Sequence, residues 1–467
     1  MKKMDKRFGI WTAISMVIGI MIGSGVFIKG GKILSLTNGN MPKAILVIGI
    51  VGAICIICSL VFATLGSKYE NVNGIVDYAE IALGKKYAYY IGWFLTTIYS
   101  PAVASVLAFF SAVMFCTLLG IPSFDFATGS INPAAVGLGA GFLIIGYGIN
   151  AISPRIAGKL QVGSTVIKLV PLLLMGIIGT IVGLANGSTQ NVLNYVNTSG
   201  TSTSFFEAIV GFAFAYEGWI LATSINSELK DAKKTLPIAL IVGSVVVTLI
   251  YMLYIFSMSS LGDVDLITST WPFGETLPGI AFTNIFSKPF GTIIYVFVTI
   301  SCLGTLNGVI MASSRSLYSL SVRGMGPAPE FFGDVDDQNN FSIKSALFGL
   351  ICGGFWYAWT TFMWMQGPDF MGNIHSNEWL AWEPDEIVII CLYMMYIPIM
   401  IGLMVKGKEF GFFKRFVLPS LGLLCCVFFC IACYLGKGLK QCLGFLVFFF
   451  LVEFIGYLLR DKKIKIK

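Results

Sequence analysis

Long apolar runs alternate with short polar or turn-rich stretches, such as "NGSTQNVLNYVNTSGTSTS" and "QGPDFMGNIHSNEWLAWEP". Runs of about 20 apolar residues match the hydrocarbon thickness of a bilayer. They read as spans at roughly 10–36, 42–66, 87–119, 134–152, 160–184, 204–227, 236–261, 285–318, 342–364, 384–405, 414–434 and 438–459. The pattern therefore predicts an all-α polytopic membrane protein with twelve transmembrane helices, forming one transmembrane domain over residues 1–467. The first run is too long and too interrupted for a cleaved signal peptide and reads as the first span.

Two spans are broken at their centres. Span 1 carries Gly23-Ser24-Gly25 within "GIMIGSGVFIKG", and span 6 carries Glu217-Gly218 within "GFAFAYEGWI". Span 6 follows span 1 at an odd offset of five, so the two broken segments enter the membrane from opposite sides. This is the pattern of a five-plus-five inverted repeat: about 10–184 against about 204–405, with extra helices at about 414–459. Paired interruptions in corresponding segments of two halves point to a transport site.

Irregular backbone survives at membrane depth only where protein or a water-filled cavity satisfies it. A break frees N–H groups at the start of one half-helix and C=O groups at the end of the other. The N–H end attracts anions and the C=O end attracts cations. A zwitterionic amino acid has both charges a few ångströms apart. Its carboxylate is expected on the amides around Ser24, Gly25 and Val26, beside Gly23, helped by the Ser24 hydroxyl. Its ammonium is expected on carbonyls near Met21, with others from Phe212 and Ala215. One Gly-x-Gly alone would be explained by close helix packing. Two breaks at matching positions favour the site.

Composition agrees with the pattern. Of 467 residues, 56% are hydrophobic and only 12% are charged, with mean hydropathy +0.83. A soluble domain carries about twice that charged fraction. The net charge of +7 is a matter of topology: most of the 31 Lys and Arg residues fall on the face that holds the N-terminus. The positive-inside rule places both termini in the cytoplasm of a cell-membrane protein. Only Lys29, Lys32, Lys43, Lys288, Lys437 and Lys440 fall at or near the outer face, so nucleic acid is not the expected partner. Nearly all of the eleven cysteines lie in apolar runs, where a thiol acts as a small hydrophobe. The single histidine, His375, lies in a loop, which removes histidine clusters from contention; no metal or cofactor is expected.

Several motifs resemble a known group. "GIMIGSGVF" resembles the helix 1 signature of the amino acid–polyamine–organocation transporter superfamily. "FAFAYEGW" followed by "ELKDAKKTLPIAL" resembles its helix 6 and the basic loop after it. "VIKLVPL", residues 166–172, is similar to its helix 5 motif, in which a lysine precedes a proline. Residues 301–332, "SCLGTLNGVIMASSRSLYSLSVRGMGPAPEFF", resemble helix 8 and the following loop of the L-type amino acid transporter branch. The resemblance covers about residues 8–335 and carries nothing beyond about 340. It implies the five-plus-five fold, alternating access and sodium-independent amino acid transport, by exchange or proton symport. It implies that the two breaks bind the α-carboxyl and α-amino groups and that Phe212 covers the substrate. It further implies that the Lys168 ammonium replaces the sodium ion of related transporters and bonds the broken backbone of span 1.

Ionisable residues at membrane depth are functional candidates by default. Lys168 lies about 12 Å deep at 1.5 Å per residue, a long way to snorkel. Glu217 would bond free amides of its own span, stay protonated or face a cationic substrate side chain; a structural role is an equal alternative. Glu207, Glu383, Asp385 and Glu386 lie near outer ends, where solvation is cheap, and Asp77 and Glu80 read as the solvated face of an interfacial helix. The expected pocket wall holds Phe212, Tyr216, Trp219 and Tyr99, with Asn307 near it. Its aromatic character favours a neutral amino acid, and Glu217 keeps a cationic amino acid or polyamine as the alternative. A membrane enzyme would need clustered His, Asp or Glu at one interface, and a channel a polar repeat or charge rings; neither pattern stands out. Partners are the small-molecule amino acid and the lipid bilayer, with proton coupling and an accessory subunit both left open.

Overall fold

The computed structural model describes residues 9–23, 25–68, 74–125, 130–194, 202–220, 229–261, 279, 281, 283, 288–335, 341–364 and 378–460. Ten helices among them are long and apolar enough to cross a membrane, and the pair α1 (Ile10–Met21) and α2 (Gly25–Leu36), bent by 49°, is compatible with one more span. The remaining expected span, span 6, appears as a shorter apolar helix that stops near residue 216; residues 221–228 beyond it lie outside the described residues. Large apolar side chains such as Leu249, Val405, Leu424 and Val447 stand exposed on the outer faces of the helices, as lipid requires.

Start and stop signals set the elements. Asn40 caps α3 (Met41–Gly66) by accepting from the Lys43 N–H at 2.9 Å, with Pro42 in the first turn, where its missing N–H costs nothing. A short interfacial helix, α4 (Ile75–Leu83), precedes α5 (Lys85–Phe94). α5 continues through a π turn at Leu95–Tyr99 into α6 (Ser100–Leu118). The π turn falls just before Pro101, which has no N–H to give an α-helical ladder. A two-residue antiparallel pairing, β1 (Phe124–Asp125) with β2 (Ser130–Ile131), closes the loop to α7 (Pro133–Ile152).

α8 (Pro154–Ala185) contains Pro171 in its interior, three residues after Lys168. α9 (Ser188–Asn194) leads to α10 (Ser202–Ala213), which tightens into a 3-10 turn at Phe214–Tyr216. Then follow α11 (Ala232–Leu261), α12 (Lys288–Ser321), α13 (Pro329–Phe332), α14 (Ile343–Trp364), α15 (Pro384–Lys406), α16 (Leu418–Lys437) and α17 (Leu439–Leu459). α1 packs against α11, α2 against α10, and α12 against α6 and α8. The two interrupted segments thus sit together inside a frame of long helices.

Candidate functional site

α1 stops at Met21 because Ile22 is extended, with φ −74° and ψ 98°. α2 restarts at Gly25. Ser24, expected to aid the carboxylate site, lies outside the described residues. The glycines beside it are held tightly. A Cβ on Gly23 would fall 2.9 Å from Thr305 Oγ1 of α12, and one on Gly25 would fall 2.6 Å from the Cα of Ala215. Met21 and Val26 are buried beside them.

The second break mirrors the first. After the turn at Phe214–Tyr216, Glu217 is extended and Gly218 takes φ +107°, a left-handed conformation that glycine adopts without strain. A Cβ on Gly218 would also lie 3.2 Å from the Ile20 carbonyl oxygen at the end of α1. The two breaks therefore touch backbone to backbone at Gly25–Ala215 and Gly218–Ile20.

Tyr251 of α11 joins their carbonyls. Its hydroxyl lies 3.0 Å from the Met21 carbonyl and 2.8 Å from the Ala215 carbonyl, so one proton is shared between the terminal acceptors of both breaks. These are two of the carbonyls expected to receive an ammonium. Phe212, Tyr216 and Tyr251 pack edge to face, with ring centroids 5.2–6.0 Å apart. The Tyr216 hydroxyl donates to the Ile48 carbonyl at 3.1 Å. Met21, Gly25, Val26, Phe212, Ala215, Tyr216 and Gly218 form one buried cluster. Sequence reasoning missed Tyr251, whose only signal is a hydroxyl at mid-span.

The π turn of the third span aims Tyr99 at the second break. Its hydroxyl donates to Glu217 Oε1 at 2.5 Å, while Glu217 Oε2 is buried with no hydrogen-bond partner. Glu217 thus has one oxygen fixed and one free to accept from a further donor.

Lys168 is fully buried. Its Nζ has no hydrogen-bond partner, so the expected bond to the span 1 backbone is not made. Its place is close to the breaks all the same. Gly304 of α12 packs on Ser164, and Gly308 on Gln161, so the two helices run antiparallel. One turn beyond Ser164, Lys168 is level with Ser301, whose buried hydroxyl also has no partner. Thr305, which backs Gly23, donates to the Ser301 carbonyl at 2.9 Å.

Two pocket-wall expectations change. Asn307 donates to the Ala157 carbonyl at 2.9 Å and accepts from Asn150 at 3.1 Å. It shares the face of α12 that carries Gly304 and Gly308, two residues and about 200° away from Thr305. Asn307 ties the fourth, fifth and eighth spans together and does not face the breaks. Trp219 is enclosed by Phe62 and Tyr396 rings at 5.6 and 5.9 Å, and its indole N–H donates to the Tyr393 hydroxyl at 3.3 Å. It keys the second break into α3 and α15.

The end charges are also not solvated as expected. Lys29 and Lys32 of α2 are buried against the start of α15. Lys29 pairs with Asp385, and with Glu386 at 2.9 Å; Lys32 pairs with Glu383 at 2.5 Å and Glu386 at 2.6 Å. Lys437 of α16 adds contacts to Glu386, Glu383 and Glu207 at 2.6, 3.3 and 3.4 Å. The Glu383, Asp385 and Glu386 carboxylates converge as a metal site would, but lysine ammoniums balance them. Among the described residues near the other face, Asp77 of α4 is buried and paired with Arg323, which also lies 3.6 Å from Glu80. Buried charges are costly unless neutralised, by several kcal/mol per ion, so burial itself demanded these partners.

Comparison with known proteins gives a consistent answer. The family model described as "Amino acid permease" matches residues 8–455. The chain is 29% identical over 333 residues to the serine/threonine exchanger SteT of Bacillus subtilis (strain 168), covering 71% of this chain and 72% of the relative. It is 28% identical over 355 residues to b(0,+)-type amino acid transporter 1 of Oryctolagus cuniculus, covering 71% and 69%. It is 25% identical over 333 residues to the cystine/glutamate transporter of Homo sapiens, covering 70% and 63%.

Proposed function

The chain belongs to the amino acid permease family, and from that premise we propose that it is a sodium-independent secondary transporter that moves neutral amino acids by alternating access, as an exchanger or with protons. The observation that carries the reading is the meeting of the two breaks. The Met21 and Ala215 carbonyls converge on one tyrosine hydroxyl, the sort of weak donor that a substrate ammonium can displace. The amides at the start of α2 lie beside them for the carboxylate. Phe212, Tyr216 and Tyr251 supply an apolar lid.

The five-plus-five repeat, with residues 10–184 and 204–405 as its halves, and cytoplasmic termini complete the proposal. Lys168 supplies a fixed positive charge in place of a coupling sodium ion. The test is uptake of labelled amino acids into proteoliposomes, with and without internal amino acid. Exchange requires uptake to rise with internal amino acid; proton symport requires an imposed pH gradient to drive it. Uptake of no amino acid under either condition would overturn the proposal, in favour of a membrane enzyme or sensor.

One observation favours a second reading. Glu217 Oε2 is buried beside the second break and lacks a donor. A cationic side chain would satisfy it, making the substrate a basic amino acid or polyamine. The same assay with lysine, arginine and putrescine as competitors separates the two.

A further inference from the structure

We infer that Lys437, which lies on α16 beyond the ten spans of the proposed repeat, is a positioning residue for the transport cycle: it clamps the α10 half of the second broken span to the start of α15, where the lysines of α2 also dock, in the closed position. The inference rests on the transport reading for its purpose but not for its geometry.

The clamp is centred on Glu386, whose carboxylate is fully buried. One of its oxygens receives Lys29 at 2.9 Å and Lys32 at 2.6 Å, both from α2. The other receives Lys437 at 2.6 Å. Lys437 reaches on to Glu207 of α10 at 3.4 Å. The neighbouring Gly436 shows how close the approach is, since a Cβ there would meet the Glu207 N and Cα at 2.7 and 2.8 Å. Three ammoniums thus face the four carboxylates of Glu207, Glu383, Asp385 and Glu386.

α2 and α10 lead from the two breaks to this face. Any opening that swings either of them outward must draw lysines off Glu386 or Glu207 off Lys437. Separation leaves buried charges unpaired, so the face opens by hydrating the whole cluster or not at all. Removing Lys437 alone leaves four carboxylates facing two ammoniums. The repulsion of Glu207 by Glu383 and Glu386, no longer bridged by an ammonium, pushes α10 outward, while Lys29 and Lys32 still hold α2 to α15. A helix outside the repeat would thereby set how often the site faces this side.

Lys437→Gln tests it, with amide hydrogen exchange of the full-length protein as the readout. Exchange in α10 should quicken roughly tenfold, the size of an ordinary conformational coupling, while α7 and α14 keep the wild-type rate. Exchange-mode transport should fall by a similar factor, and Lys437→Arg, which keeps the charge, should restore both. Unchanged exchange in α10 would overturn the inference, and so would a folded Lys437→Arg protein that behaves like Lys437→Gln. Should Lys437→Gln not fold, Glu207→Gln removes the more exposed partner and must loosen α10 in the same way. If wild-type protein transports no amino acid while the exchange pattern holds, the functional reading fails and the clamp stands.

Discussion

Gly25 and Ala215 are in backbone contact: a Cβ on the glycine would lie 2.6 Å from the Cα of the alanine, closer than real Cβ atoms come. The contact ties the restart of span 1 to the turn of span 6. Gly25→Val should therefore force the breaks apart. Overpacking of a closed interior costs about 1–3 kcal/mol. Amino acid binding should be lost and the thermal midpoint should fall, with the protein still monodisperse. Gly25→Ala should fall between. Isothermal titration and thermal unfolding check both; unchanged affinity in Gly25→Val would remove Gly25 from the site.

Tyr251→Phe deletes the hydroxyl that the Met21 and Ala215 carbonyls share, leaving the ring packing on Phe212 and Tyr216. An unsatisfied buried acceptor costs about 1–3 kcal/mol. The closed arrangement should lose that much, so transport should drop while expression and the helical signature remain. A substrate ammonium meets the freed carbonyls without displacing a hydroxyl, so affinity should hold or tighten. Measuring Kd alongside turnover separates this from simple damage, which weakens both.

The spans were legible because lipid imposes one length on each apolar run, and the break of span 1 because Gly23 and Gly25 are poor residues for a helix interior. Pairings between distant elements were not legible. Lys32 and Glu386 are 354 residues apart and looked like separate solvated ends. The usable signal was the i, i+3 spacing of Lys29 with Lys32 and of Glu383 with Glu386, which puts two like charges on one helix face. Two such stripes of opposite sign at the same end of neighbouring helices call for each other. Asn307 was misplaced for a different reason. Its depth was right, but helical phase turns it toward Asn150 and Ala157 and away from the break. Phase relative to a partner depends on packing, which the run of apolar residues around Asn307 did not encode.

Recognition of a zwitterion makes a prediction that needs no mutation. Each charge of the substrate meets one end of a broken helix, so neither can be removed cheaply. Methyl esters and N-acetylated amino acids should compete poorly with the parent compound in uptake. Equal competition by the ester would remove the carboxylate from the model; equal competition by the N-acetyl compound would remove the ammonium from the Met21 and Ala215 carbonyls.

Glu217→Gln distinguishes the substrate classes. Glutamine keeps an oxygen to accept from the Tyr99 hydroxyl, so the fold around the pair should be preserved. Uptake of a neutral amino acid should remain within about threefold of wild type, less than 1 kcal/mol in binding. Inhibition by lysine, arginine or putrescine should disappear wherever wild type shows it. Loss of neutral uptake in Glu217→Gln would show that the carboxylate itself serves the transport cycle.

Lys168 gives the sharpest separation of stability from function. A fully buried ammonium with no hydrogen-bond partner is a liability to the fold, because several kcal/mol of hydration are lost and not replaced. Replacing a buried charge by an apolar side chain of similar volume is commonly neutral or stabilising. Lys168→Met should therefore keep or raise the thermal midpoint of the protein. Transport should nevertheless fall strongly, because the charge sits level with Ser301 and one turn from Thr305, which backs the Gly23 end of the first break. A fixed positive charge there also removes the need for a coupling sodium ion, so wild-type uptake should not change when potassium replaces sodium. The measurements are thermal unfolding of both proteins and their uptake in matched potassium and sodium buffers. A less stable Lys168→Met protein would mean that the ammonium is bonded and holds the bundle together. Normal transport by Lys168→Met, or collapse of wild-type uptake without sodium, would withdraw the ion-substitute role from this lysine.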